Sequence, residues 1–225
     1  MNTPATAERE RVRAAYARRT HADRYDGSRP DQIAMSRARA EAWERRLTRL
    51  GRSLGRVLEV GCGTGAVMRW ASERGASHVL GVDVIADRLV ANHGCRHGTS
   101  LALADGSALP VPRSAFDTVV CSTVFSSILD DRVCRTVAQE IDRVLAPTGV
   151  VLWFDFFRDN PLNRDVRPVR ARDVTAWFPG YELALEPVVL APPLARRLLR
   201  HPRLSESLER VRLLRTHLAG ALWRA

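Results

Sequence analysis

The chain has 225 residues, 45% hydrophobic and 27% charged, a balance that excludes a disordered chain or a fibre and suits one domain. Its formal charge of +10 is carried entirely by arginine, since lysine is absent, and with no aromatic-and-basic recognition pattern beside it the surplus does not argue for a nucleic-acid partner. No apolar run approaches the roughly 20 residues that cross a bilayer, the first residues lack the apolar centre of a secretory signal, and the four cysteines show no paired spacing, so a cytoplasmic protein without a metal site or redox dithiol is expected.

Residues 4–19 have helical composition, and a polar break, "RTHADRYDGSRP", follows at 19–30. Ile33, Ala34, Ala38, Ala42, Trp43, Leu47 and Leu50 fall near helical spacing and predict a second helix over 31–50, with Gly51 and Gly55 at its exit. From there short apolar runs alternate with helical segments. The strands are 56–60, 78–84, 100–105, 116–122 and 150–157, and helices are expected at 66–74, 86–93 and 131–146. That rhythm marks βαβ units, a parallel sheet and helices on both faces. The tail breaks it: "YELALEPVVLA" (181–191) reads as a sixth strand, 192–214 as a helical insertion rich in Leu and Arg, and "THLAGALW" (216–223) as a last strand. A basic amphipathic helix at 192–214 suits an anionic membrane surface as well as simple docking on the domain.

The first strand runs into "VGCGTGA", where Gly61, Gly63 and Gly65 allow a tight turn and a close approach to a ligand, and the next helix start offers free amide donors. Gly61-x-Gly63-x-x-Ala66 also satisfies the relaxed dinucleotide fingerprint, so the turn alone leaves two ligand classes open. Asp83, 18 positions after Gly65, is placed to accept from the ribose hydroxyls of either.

The surrounding segments decide between them. "VLEVGCGTG", "GVDV", "LALADGSALPVPRSAFDTVVCSTVF" and "EIDRVLAPTGVVLWFDF" together resemble the ordered motifs of class I S-adenosylmethionine-dependent methyltransferases of the bacterial small-molecule type, over residues 56–157. The resemblance implies an α/β, Rossmann-like three-layer sandwich: a seven-stranded, mostly parallel sheet with an antiparallel edge hairpin. It implies one domain over 1–225, with an N-terminal helical lid (1–50), a cofactor-binding core (56–157) and an acceptor-side tail (158–225).

It also assigns S-adenosyl-L-methionine as the cofactor. Glu59 closes the first strand, Gly61, Cys62, Gly63 and Gly65 pack beneath the ligand, with Gly65 giving room to its amino-acid arm, and Asp83 takes the ribose. Asp105, Gly106 and Ser107 flank the adenine, which Val84 and Leu109 sandwich, while Ser122 and Thr123 meet the methionine portion. Tyr16 and Tyr25 match the lid aromatics, and Asp155 or His21 is the candidate general base for a small-molecule acceptor methylated at oxygen, a natural product, sugar or lipid-like compound. The polar stretch 158–169 borders the acceptor site. Two rivals stand beside this reading: a protein that binds the same cofactor without methyl transfer, and an NAD-dependent oxidoreductase, which a lysine-free chain cannot equip with a lysine-based proton relay.

Overall fold

The computed structural model describes residues 3–18, 29–92, 98–159, 163–190 and 214–225. Helix α1 (Pro4–Ala17) starts where the Thr3 hydroxyl accepts from the Thr6 N–H at 3.2 Å, and α2 (Pro30–Leu50) stops at Gly51, whose φ of 62° no β-carbon opposes. Both open with proline, which suits the first helical position because its missing N–H would be unpaired there in any case. Strands β1 (Arg56–Val60), β2 (His78–Asp83), β3 (Thr99–Leu103), β4 (Phe116–Ser122) and β5 (Leu145–Phe156) are parallel and are linked through helices α3 (Ala66–Glu73), α4 (Ala86–Val90) and α5 (Asp131–Val144). After α6 (Ala171–Trp177) the chain adds β6 (Tyr181–Leu190) and β7 (Arg215–Arg224). The order across the sheet is β3-β2-β1-β4-β5-β7-β6, with β7 antiparallel to both neighbours.

Two apolar layers sandwich this sheet. Val133, Val137 and Ile141 of α5 pack with Trp177 of α6 against Leu58, Val119 and Trp153 on one face; Trp43 of α2 and Met68 of α3 cover Val57, Val120 and Leu152 on the other. Trp43 also donates its indole N–H to the Trp153 carbonyl at 2.9 Å, so α2 is pinned to β5 by a bond as well as by burial. At the far side β6 and β7 approach so closely at Gly220 that a β-carbon there would stand 2.0 Å from the Ala184 carbonyl oxygen.

The predicted architecture is present, with local differences. Helix α6 escaped the sequence reading because its seven residues, about two turns, are shorter than the window in which a helical pattern can be read; its start is fixed by Asp173, whose carboxylate accepts from the Arg170 N–H at 2.8 Å. Helix α4 ends at Val90 rather than at residue 93. Strand β5 begins at Leu145, directly after α5, because Leu145 already pairs with Phe116. The expected insertion at 192–214 lies, apart from Leu214, outside the described residues, as do His21 and Tyr25. No helix among the described residues is long and apolar enough to cross a membrane.

Candidate functional site

The strand order reverses between β1 and β4, and in open parallel sheets that reversal leaves a crevice beyond the carboxyl ends. Here it opens into a cavity of about 390 Å³, roofed by α1 and α2. Its floor is the turn after β1, where Gly61 and Cys62 both donate to the Val82 carbonyl, at 2.8 and 3.0 Å.

Asp83 holds this floor together. It is buried, one carboxylate oxygen accepting from the Gly63 N–H and the other from the Ile85 N–H, both at 2.9 Å. A carboxylate oxygen has two lone pairs, so each keeps one acceptor site for a ligand hydroxyl. Next to it Glu59 is buried, and its Oε2 has no hydrogen-bond partner among the described residues. Burial pushes the Glu59 carboxyl up to about 8, against the opposing pull of the Arg39 guanidinium.

Arg39 comes from α2 and was missed by the sequence reading. Its guanidinium lies over the rings of Trp43 and Phe154 at 5.2 and 5.5 Å and donates to Ser122 Oγ at 3.1 Å, while its Nε is buried without a partner among the described residues. Burial lowers its pKa to about 10, with Glu59 opposing the fall. The signal was an arginine inside the apolar stripe of α2, where a solvated charge does not belong.

At the end of β4, Thr123 takes a φ of 57°, with its N–H donating to the Phe154 carbonyl at 2.7 Å. Non-glycine residues avoid that region, and strain of this kind collects at ligand sites. Ser122 and Thr123 both line the cavity, as do Glu59, Gly61, Cys62, Gly63 and Asp83, and also Val84, Asp105 and Gly106.

Asp105 accepts at Oδ1 from the N–H and hydroxyl of Ser107, at 2.9 and 2.8 Å, and its other oxygen faces Arg9 at 3.7 Å. Ser107 therefore orients Asp105 from outside the cavity wall. Helix α1 lies across the mouth through this ion pair, through Arg13 Nε on the Val84 carbonyl at 2.9 Å, and through Tyr16, whose hydroxyl is 3.4 Å from Ser127 Oγ and whose ring carries the Arg88 guanidinium at 4.9 Å.

Besides Ser107, three placements differ from the sequence reading. Gly65 leaves no room for a ligand arm: a β-carbon there would meet the Asn92 side chain at 2.1 Å, and the residue instead caps α3 at a φ of 83°. Gly65→Ala should therefore destabilise the fold by more than the roughly 1–2 kcal/mol of a left-handed alanine, because Asn92 must also move aside, seen as a lower denaturant midpoint. Leu109 sits in the α5-side core, its N–H given to Glu140 at 2.8 Å, away from the cavity. Asp155 stands behind the wall, 1% exposed, its oxygens accepting from Ser126 and Phe156 N–H groups at 3.0 and 2.9 Å. Burial raises it to about 6, but its geometry is that of a brace for the turn at Phe125–Ser127.

One further wall residue went unread. His217, at the start of β7, lines the cavity with Phe154 and Phe156. Its signal was a lone polar ring in an apolar strand, which the sequence reading passed over.

Residues 57–149 match the family model described as a methyltransferase domain. Over 101 residues the chain is 29% identical to protein arginine N-methyltransferase 1 of Dictyostelium discoideum, a match that covers 43% of this chain and only 30% of that protein. Among solved structures, the 1,6-didemethyltoxoflavin-N1-methyltransferase of Burkholderia thailandensis, with its acceptor and S-adenosylhomocysteine bound, superposes with a TM-score of 0.67 at 17% identity, covering 96% of this chain and 88% of that one. The [4+2]-cyclase SpnF shares the fold with a TM-score of 0.62 at 21% identity, covering 88% and 85%.

Proposed function

We propose that this chain, whose residues 57–149 match a methyltransferase-domain model, binds S-adenosylmethionine in the cavity and passes its methyl group to the hydroxyl oxygen of a small molecule. The observation that carries the reading is the pair of unpartnered buried atoms beside the glycine turn, Glu59 Oε2 and Arg39 Nε. A buried acceptor and a buried donor left unmade are costly. The ammonium and carboxylate of an amino-acid arm match them.

Asp83 would then take the ribose hydroxyls and Asp105 the adenine amine, with Val84 against the ring. When bound, S-adenosylmethionine supplies a methyl group already activated by its sulfonium. The protein's part is orientation and exclusion of water, and α1 and α2 roof the cavity for that purpose.

The same geometry disfavours NAD. A pyrophosphate needs free amide donors at the glycine turn, yet the Gly63 N–H is already given to the buried Asp83 carboxylate, and the Gly61 and Cys62 N–H groups to the Val82 carbonyl. For the acceptor, the cavity lining also supplies Phe154, Phe156, His217, Gln32, Ser36, Asn163 and Val166, none of which carries a carboxylate. With Arg39 close by, that surface suits a neutral hydroxyl compound better than a cationic amine. Because a cyclase shares the fold, cofactor binding without transfer is the second reading.

Calorimetric titration with S-adenosylhomocysteine and with NAD tests the assignment. Binding of the former and none of the latter is expected. Binding of NAD alone would end it, and a bound cofactor with no methyl transferred to any hydroxyl compound would favour the second reading.

A further inference from the structure

We propose that His217 is the general base of this transfer, its Nε2 taking the hydroxyl proton of the acceptor as the new oxygen–methyl bond forms. The inference rests on the functional reading above. Because β7 runs antiparallel to β5, its first residues lie beside the last of β5, and Phe156 pairs with His217. A residue from the final strand thereby reaches the carboxyl edge of the sheet, where the cavity opens. The imidazole is stacked on Phe154 (centroids 4.8 Å, 11° between planes) and meets Phe156 edge-on at 5.9 Å, which fixes the ring plane.

The proposal requires the Nδ1-protonated tautomer, for which Thr216 and Val189 supply a relay. Nδ1 is 2.9 Å from Thr216 Oγ1, and the same hydroxyl donates to the Val189 carbonyl at 3.3 Å. The carbonyl can only accept, and the hydroxyl has one proton. With that proton committed to Val189, the hydroxyl oxygen accepts from an Nδ1–H, and Nε2 keeps its lone pair. The ring is 7% exposed and lines the cavity, so with Nδ1 engaged the open edge is the one that carries Nε2. Val189 adopts a φ of 62°, a conformation that a β-branched residue avoids, directly at the end of this relay.

Burial, with the Arg39 charge of α2 facing the ring, lowers the imidazole to about 4 and keeps it neutral. A base so weak takes the proton late, when methylation has made the oxygen acidic. In that step the acceptor oxygen bonds to the methyl carbon, the carbon–sulfur bond breaks with its electron pair left on sulfur, and the O–H proton moves to Nε2. The buried imidazolium, next to Arg39, then yields its proton to water as product leaves.

Histidine-selective ¹⁵N NMR of the full chain, with His217→Gln for assignment, tests this with and without S-adenosylhomocysteine. The result expected is an Nδ1-protonated ring that stays neutral through pH 6.5, the ordinary histidine midpoint. In the S-adenosylhomocysteine complex the Nε2 resonance should move on addition of 4-nitrophenol and stay unmoved by 4-nitroanisole, which has no proton to give. Thr216→Val should transfer the ring proton to Nε2. An Nε2–H tautomer in the parent protein, an Nε2 that answers both probes or neither, or a Thr216→Val protein with an unchanged tautomer would overturn the proposal. Calorimetry on the same samples separates that outcome from failure of the functional reading, which would show as absent S-adenosylhomocysteine binding.

Discussion

Asp83→Ala is expected to weaken S-adenosylhomocysteine binding by about 2–4 kcal/mol, a factor of roughly thirty to several hundred. Two losses add. The ribose hydroxyls lose a charged acceptor, and the Gly63 and Ile85 N–H groups, each 2.9 Å from the carboxylate, are left without one, so the floor of the cavity loosens as well. Calorimetry measures the first effect and thermal unfolding of the ligand-free protein the second. An unchanged affinity would remove Asp83 from the binding site.

The affinity for S-adenosylhomocysteine should rise nearly tenfold per pH unit from pH 6 toward about 8 and then fall. The lower limb comes from Glu59, held at about 8 in the free protein and therefore protonated at neutral pH. Pairing with the ligand ammonium favours the ionised carboxylate, so binding releases a proton below that pKa, and proton release makes binding tighten as pH rises. At higher pH, in the range of a free amino acid's α-amino group, the ligand loses its own proton and the pairing is lost from the other side. From pH 6 to 8, where Glu59 is half ionised, the gain amounts to about fifty-fold, or about 2.3 kcal/mol. Glu59→Gln should bind weakly and lose the rising limb. Titration in buffers of different ionisation enthalpy reads the released proton directly, and a flat profile in the parent protein would separate Glu59 from the ammonium.

The core of this fold was legible because its information is local. The strands expected at 56–60, 78–84 and 116–122 each read as an apolar run bounded by turn residues, and the acid near the end of the second, Asp83, is placed by chain distance alone. Glu59, Gly61, Gly63 and Asp83 reach one cavity because β1 and β2 are adjacent and parallel. What comes from far along the chain was not legible. Arg39 arrives from α2 and His217 from the last strand, and only the packing of α2 on β5 and the antiparallel insertion of β7 bring them to the same wall. Gly65 and Leu109 failed for a related reason. Their sequence positions were right, but what fills the space beside them is Asn92 and Glu140, side chains 27 and 31 positions away.

Gly220 touches nothing in the cavity, yet it governs what the cavity contains. β7 is held to β5 on one side, so bulk added at 220 has one direction in which to act, outward against the Ala184 carbonyl and the whole of β6. Val189 travels with β6 and the imidazole with β7, so parting the two strands would disconnect a carbonyl from the hydroxyl that sets a ring's proton. The lateral spacing of two outer strands and the acid–base state of the reaction chamber are thus one mechanical quantity, set by a hydrogen atom where any other amino acid would place carbon.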